Sequence, residues 1–301
     1  MTRVEPVPEV ERLGKVTARQ VAVAQGNSVA VHDFGGDGPT LLFAHATGMH
    51  GWVWRPVADR LVDGAHCVAI DLRGHGDSAL PAGFDLSWAG FGSDVLAVAR
   101  DLDVRNLIGV GHSLGGAALL IAELEAPGTF AHLFLYEPAV HVDSRADSKD
   151  MVSALRDAMV EMTRRRRADF PSLDDALANY AGKAPMAQFH AEVLGAYVSH
   201  GFSDHDDDGG HHVTLKCSPD TEARIYAGTS DHDTASRLRA ITCRVTLATG
   251  SESDTLQRRT IEALADELHC STVVFEGADH FGPLQQPQQF ADAVSRHLLT
   301  G

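Results

Sequence analysis

Short apolar runs alternate with segments of helical pattern over most of the chain, and this alternation constrains the fold more than any other feature. The strand-like runs lie at residues 40–45, 66–72, 106–112, 132–137, 243–250 and 271–277. Most of their positions are apolar, which is typical of strands buried on both faces. The segments between them, such as 91–102 and 114–125, have the length and composition of helices. This order predicts an α/β fold with a parallel sheet covered by helices on both faces.

The N-terminal region has a different pattern. Two runs at 20–26 and 28–34 predict a hairpin that turns through Gly26 and Asn27. Residues 1–18 are charged, include two prolines and lack the apolar core of a secretory signal. We interpret this stretch as a loose leader.

The alternation breaks between residues 140 and 239. Several segments there carry apolar residues at helical spacing, and one begins with Ser172 as a plausible N-cap. Because this stretch lies between two predicted strands, we interpret it as a helical cap inserted into one domain. The core then consists of residues 1–139 and 240–301.

The composition narrows the class of protein. The chain has 301 residues, and 44% of them are hydrophobic, which is enough for a large buried core. The net charge of −16 argues against nucleic acid and anionic membranes as partners. The four cysteines show neither metal-ligand nor disulfide spacing, so we expect a reducing compartment. We predict a cytoplasmic protein that acts on a small molecule; the sequence leaves open whether it forms a homo-oligomer.

The sequence Gly-His-Ser-Leu-Gly at 111–115 places a serine between a predicted strand and a predicted helix. A sharp turn there lifts the hydroxyl clear of the sheet, and the helix N-terminus supplies unpaired N–H groups. Gly111 and Gly115 suit the close approach of backbone that such a turn requires. This pattern is a nucleophile elbow, and it predicts that Ser113 is a nucleophile rather than an incidental N-cap.

A serine nucleophile needs a base, and the base needs an orienting acid. His280 lies just after the last predicted strand, at the carboxyl edge of the sheet, and we predict it as the base. Two carboxylates precede it. Glu137 ends a buried strand, where an unpaired charge is costly. Asp254 lies in a polar loop, where it also fits as a helix N-cap.

The oxyanion of an acyl-transfer intermediate needs two N–H donors. We predict the backbone N–H groups of Leu114 and Thr47, the latter from the loop after the first buried strand. The residues that follow this loop, Met49, His50 and Trp52, are predicted to contact the substrate.

Two charged stretches allow alternative interpretations. Arg164 to Arg167 fits either an anionic substrate or a solvated helix end, and we favour the helix end. Residues 199–215 concentrate histidines and aspartates, but their spacing matches no metal-ligand motif and their glycines suit a hairpin turn. We therefore predict no metal and no cofactor.

Taken together, these residues resemble the α/β-hydrolase family. The stretch "HATG" at 45–48 resembles the family's oxyanion loop, with Ala46 in place of the usual glycine. "DLRGHGDS" at 71–78 resembles the turn after the next strand, "GHSLGG" the elbow, and "GADH" at 277–280 the histidine loop. The resemblance covers the chain apart from the leader and the cap. It implies an eight-stranded, mostly parallel sheet.

The family also bears on the choice of acid. In most members the acid stands at the fourth position of Gly-x-x-Asp, but here Ser253 occupies that position and Asp254 follows one residue late. A branch of the family carries its acid at the end of the preceding strand instead, and "LYEP" at 135–138 resembles that placement. We therefore favour Glu137 over Asp254.

The resemblance implies a serine hydrolase that forms an acyl-enzyme. An ester or a lactone of a small to medium apolar compound is the expected substrate, since a helical cap encloses such compounds better than polymers. Cleavage of other bonds, including carbon–carbon bonds, uses the same machinery. An acyltransferase and a non-catalytic binding protein are the alternative hypotheses.

Overall fold

The computed structural model describes residues 16–78, 80–81, 83–142, 146–207, 210–229 and 232–299. The strands are β1 (Thr17–Ala22), β2 (Ser28–Gly35), β3 (Thr40–Ala44), β4 (His66–Ile70), β5 (Leu107–His112), β6 (Phe130–Tyr136), β7 (Asp169–Phe170), β8 (Phe202–Asp207), β9 (Gly210–Leu215), β10 (Arg244–Gly250) and β11 (Ser271–Phe275). The helices are α1 (Arg55–Ala58), α2 (Trp88–Leu102), α3 (Leu114–Glu125), α4 (Ala146–Arg164), α5 (Leu173–Ala181), α6 (Ala191–His200), α7 (Pro219–Ala227), α8 (Thr234–Arg237), α9 (Thr255–Leu268), α10 (Gly282–Gln285) and α11 (Pro287–Leu298).

Eight strands form the main sheet in the order β1-β2-β4-β3-β5-β6-β10-β11. Strand β2 runs antiparallel to both of its neighbours, and the remaining pairs are parallel. The predicted fold class, an α/β fold with a mostly parallel eight-stranded sheet, is confirmed. The hairpin predicted through Gly26 and Asn27 is also present, since β1 pairs with β2 across that turn.

The central strands are apolar because both of their faces are covered. All residues of β3 and β5 are buried. One face packs on a cluster that includes Trp54 and Phe290, and the other on a cluster that includes Phe91 and Leu119. Since parallel strands end at one edge, residues that directly follow β5, β6 and β11 come close together there.

The polypeptide between β6 and β10 carries the helices α4 to α8 and also a small antiparallel sheet in the order β7-β9-β8. The sequence predicted only a hairpin turn in this stretch, and the turn itself, residues 208–209, lies outside the described residues. Strand β8 has polar side chains on both faces, so its sequence lacks the apolar alternation that indicates a strand. Tyr197 and Phe202 from this region belong to the same apolar cluster as Met49 of the core.

The predicted leader ends earlier than expected, because β1 begins at Thr17 and pairs with β2 from its first residue. Residues 1–15 lie outside the described residues. In the described part of the chain, no helix is both long and apolar enough to cross a membrane.

A buried ion pair ties the turn after β4 to helix α2. Arg73 binds both carboxylate oxygens of Asp94 at 2.6 Å, and the two side chains are 3% and 0% exposed. The guanidinium also lies over the ring of Phe84, 4.7 Å from its centroid. Bidentate pairing of this kind satisfies charges that burial would otherwise leave without a partner.

We expect Asp94→Ala to lower the free energy of unfolding by about 3–5 kcal/mol, because it leaves the Arg73 guanidinium buried and unpaired. Urea unfolding followed by circular dichroism measures the change. The matched control is Glu267→Ala, which breaks the exposed pair with Arg239 and should leave the unfolding midpoint nearly unchanged. Equal effects of the two substitutions would contradict this account.

Candidate active site

Ser113 occupies a tight turn between β5 and α3. Its backbone angles, φ 51° and ψ −114°, lie in a region that costs a non-glycine residue about 1–3 kcal/mol. The turn brings backbones so close that a Cβ on Gly115 would lie 2.1 Å from the carbonyl oxygen of Ala44. A Cβ on Gly111 would lie 2.7 Å from the Cα of Gly116. Thus only glycine fits at either position, and the local sequence folds as an elbow with Ser113 at its tip.

Glu137 directly follows β6 and binds His280. Its side chain is fully buried, and its Oε2 accepts a hydrogen bond from Nδ1 of His280 at 2.7 Å. Because a carboxylate only accepts, Nδ1 carries the proton, and Nε2 of the neutral imidazole is left as an acceptor. His280 itself follows β11, so the strand ends of the sheet bring together the predicted base and the favoured acid.

The second carboxylate oxygen of Glu137 is held by three donors. Its Oε1 accepts bonds from the hydroxyl of Thr249 at 2.6 Å, the N–H of Gly250 at 3.0 Å and the hydroxyl of Ser253 at 2.5 Å. Burial acts to raise the pKa of Glu137, but the bond from His280 and these hydroxyl donors outweigh burial and lower the pKa to about 2. The carboxylate is therefore ionised at neutral pH and has one orientation.

Asp254 lies elsewhere. It is exposed and caps helix α9 by accepting a hydrogen bond from the N–H of Gln257 at 2.9 Å. Ser253, which takes the position of the usual acid, is buried and donates to Glu137 instead. The structure thus brings Glu137, and not Asp254, to the histidine.

Two side chains that were not predicted as site residues form hydrogen bonds to the backbone around His280. His112, just before Ser113, binds the carbonyl oxygen of His280 through Nε2 at 2.7 Å. Tyr136, just before Glu137, donates its hydroxyl to the carbonyl oxygen of Asp279 at 2.6 Å. Burial, with the nearby His280, lowers the pKa of His112 to about 3, so it donates as a neutral imidazole.

The predicted oxyanion donors, the N–H groups of Leu114 and Thr47, do not donate to other groups in the described part of the chain. Two buried histidines hold the loop that carries Thr47. His45 Nδ1 donates to the carbonyl of Ala46 at 2.8 Å, and His75 Nε2 accepts from the N–H of Gly48 at 3.0 Å. His75 was not singled out from the sequence, although it lies within the stretch "DLRGHGDS" that carries part of the resemblance.

Comparison with known proteins identifies the family of the chain. A model of the alpha/beta hydrolase family matches residues 41–293. The chain belongs to the alpha/beta hydrolase family. The resemblance found in the sequence is therefore confirmed.

Similar proteins and solved structures differ widely in sequence from the chain. A Mycobacterium tuberculosis protein of uncharacterised function is 25% identical over 276 residues, which cover 88% of this chain and 76% of that protein. The crystal structure of E-2-(acetamidomethylene)succinate hydrolase superposes with a TM-score of 0.77 at 23% identity, covering 94% and 98% of the two chains. An esterase from Exiguobacterium antarcticum gives 0.71 at 20% identity, covering 93% and 98%. The two superpositions show a shared fold.

A cavity of about 590 Å³ lies beside the loop that carries Thr47 in this alpha/beta hydrolase. Thr47, Met49 and Phe281, which follows His280, line its floor, and residues of the region between β6 and β10 line its other walls. Of the three predicted substrate contacts, only Met49 lines this cavity. The cavity therefore reaches Thr47 of the oxyanion loop and Phe281 of the histidine loop, whereas Ser113 and His280 are not among the described residues that line it.

The other two predicted contacts, His50 and Trp52, do not line this cavity. His50 is buried beneath helix α6, where its Nε2 bonds to the carbonyl oxygen of Tyr197 at 3.0 Å. Trp52 lines a separate surface groove and stacks on the ring of His200 at 3.7 Å. Sequence proximity to the oxyanion loop suggested both residues, but the chain turns away from the cavity after Met49.

Three side chains of the described residues, His32, Asp71 and Asp77, bring potential metal ligands within 4.8 Å of one another. The oxygens of Asp71, however, already accept bonds from the N–H groups of Gly51 and Asp77 and lie 2.9 Å from His32 Nε2. These bonds hold the turn after β4. The described histidines and aspartates of β8 and β9 do not bring three such ligands together.

We expect the pH dependence of the unfolding free energy to show that buried histidines are held neutral in the folded protein. Burial lowers the pKa of His75 to about 4, although the Arg73 carbonyl opposes the shift. Between about pH 6.5 and pH 4 the unfolded chain therefore binds a proton that the folded chain excludes, and stability falls as the pH falls. In His75→Gln the slope of unfolding free energy against pH should be shallower by up to about 1.4 kcal/mol per pH unit.

Guanidinium unfolding at intervals between pH 4.5 and pH 8 measures this slope. The two proteins should show equal slopes above pH 7, where the imidazole is neutral in both states, so each protein supplies its own control. Identical slopes below pH 6 would show that His75 is not held neutral in the folded protein.

Proposed function

We propose that this protein is a serine hydrolase that cleaves a carboxylic ester or lactone through an acyl-enzyme. The observation that carries the proposal is the buried, ionised Glu137 bound to Nδ1 of His280, at the same sheet edge as the Ser113 elbow. The site carries the proposal, because the fold alone supports many reactions.

The geometry supports a standard sequence of acyl-transfer steps. His280 Nε2 takes the proton of the Ser113 hydroxyl as its oxygen attacks the carbonyl carbon. The N–H groups of Leu114 and Thr47 stabilise the resulting oxyanion, and each such donor is worth about 10²–10³ in rate. His280 then protonates the leaving group, and a water molecule repeats the cycle on the acyl-enzyme. Throughout, Glu137 keeps the imidazole in the required tautomer and stabilises its positive charge.

An ester or lactone is the bond we favour. The Exiguobacterium antarcticum protein of the same fold is an esterase, and family membership supports hydrolysis. Met49, Met186 and Phe281 give the cavity the apolar surface that an acyl chain requires. Because an alkoxide leaves more readily than an amide nitrogen, the oxyanion donors and one protonating histidine are sufficient for ester cleavage.

We expect Glu137→Gln to lower kcat for p-nitrophenyl esters by about 10³–10⁴, because an amide cannot impose the Nδ1–H tautomer. Asp254→Asn is the matched control. Asparagine caps a helix as well as aspartate does, so kcat should change less than tenfold. Steady-state kinetics measures both, and the reverse ranking would assign the orienting role to Asp254.

A second measurement separates catalysis from simple binding. Wild-type protein should release a burst of p-nitrophenol equal to its concentration of sites and should be labelled by a fluorophosphonate at Ser113. Ser113→Ala should show neither. If the wild-type protein shows no burst and no label, the chain is a binding protein on a hydrolase fold. Partition of the acyl group to an added alcohol would indicate an acyltransferase.

A further inference from the structure

The four arginines at 164–167 begin at the last residue of helix α4 and differ in their exposure to solvent. The side chains of Arg164 and Arg165 are 53% and 80% exposed and pair with Glu161, as expected for a solvated helix end. Arg166 is only 21% exposed and lines the same cavity as Thr47 and Met49. The predicted solvated helix end therefore describes Arg164, which does not line the cavity, whereas Arg166 is mostly buried and does.

The Arg166 guanidinium lies close to where the reaction would take place. A Cβ on Gly48 would be 3.3 Å from its Nη1 and 2.5 Å from Oε1 of Glu222. Gly48 directly follows Thr47, whose N–H is the proposed oxyanion donor. A charged group of the substrate that reaches Arg166 is therefore separated from the scissile carbonyl by only a few bonds.

Arg166 has hydrogen-bonding capacity to spare. Of its five N–H groups, one on Nη1 binds Glu222, and those on Nη2 face the hydroxyls of Tyr197 at 3.0 Å and Tyr180 at 3.5 Å. The N–H groups that remain, on Nε and Nη1, have no partner among the described residues. Because Arg166 lines the cavity, these N–H groups are available to a polar group that enters it.

The charge around the cavity has the opposite sign to that of the whole chain. Arg165, Arg167 and Lys183 line it together with Arg166, and Glu222 is the anionic side chain among its described lining residues. The full chain carries a net charge of −16. A local excess of positive charge in an acidic protein attracts anions to this opening and repels cations.

We propose that the substrate carries a carboxylate on its acyl part, a few carbons from the scissile carbonyl, and that Arg166 binds it. This inference rests on the proposed ester hydrolysis and names its substrate class, a half-ester of a short dicarboxylic acid. Arg166 sets specificity by giving the carboxylate a charge-assisted hydrogen bond, while the methionines contact the intervening methylenes. Glu222 orients the guanidinium and also repels the incoming carboxylate.

The test compares two esters that differ at one end of the acyl chain, p-nitrophenyl valerate and mono-p-nitrophenyl glutarate. The ratio of their kcat/KM values isolates the effect of the carboxylate and cancels any loss of folded enzyme. Wild-type protein should prefer the glutarate by tenfold or more. Arg166→Gln should lower the ratio at least tenfold, whereas Glu222→Gln should raise it, because it removes the competing anion.

Arg164→Gln is the matched control, since Arg164 belongs to the same run, is exposed and does not line the cavity. It should leave the ratio within twofold of wild type. A wild-type ratio near one, or an equal loss of both rates in Arg166→Gln and Glu222→Gln, would show that this ion pair is only a structural tie and would overturn the inference.

Failure of the proposed function gives a different result. If neither ester is hydrolysed and Ser113 is not labelled, ester hydrolysis is rejected, and the charge preference is then tested by calorimetric titration with glutarate. Tighter binding to wild type than to Arg166→Gln supports the anion site on its own. Equal affinities, or no binding to either protein, reject it.

Discussion

The hydrogen bond between Glu137 and His280 is the interaction on which the rest of the site depends. It joins the end of β6 to the loop after β11. The buried carboxylate is stable there because four donors bind its two oxygens, three at Oε1 and His280 at Oε2. Thr249, Gly250 and Ser253, at and just after the end of β10, supply those donors. Three strand ends are thus held together by one ion, and the imidazole takes its tautomer from that contact.

The backbone around this ion is held by the residues that precede the reactive ones. His112 precedes Ser113 and binds the carbonyl of His280, while Tyr136 precedes Glu137 and binds the carbonyl of Asp279. Strands β5 and β6 therefore each end with a residue that positions the histidine loop, and the residue that follows takes part in the proposed reaction. Because both of these side chains belong to buried strands of the sheet, their hydrogen bonds hold the histidine loop in a fixed position relative to the core.

The parts of this site that could be predicted from sequence are those whose structure is determined by neighbouring residues in the chain. The elbow needs small residues within two positions of Ser113, and a carboxylate that ends an apolar strand, as Glu137 does, needs a partner wherever that partner lies. What could not be predicted depends on contacts across the fold. Neither the direction of Trp52 after the oxyanion loop nor the cavity position of Arg166 follows from neighbouring residues. The polar strand β8 likewise forms because β9 pairs with it, without an apolar pattern of its own.

The most direct measurement of the central contact is the low-field proton NMR spectrum of protein labelled with ¹⁵N-histidine. We expect a strongly deshielded Nδ1 proton from His280 at neutral pH. Its signal should move upfield or disappear when Glu137 is replaced by glutamine, and should be unchanged when Asp254 is replaced by asparagine. A deshielded proton that persists without the Glu137 carboxylate and is lost with that of Asp254 would contradict this expectation.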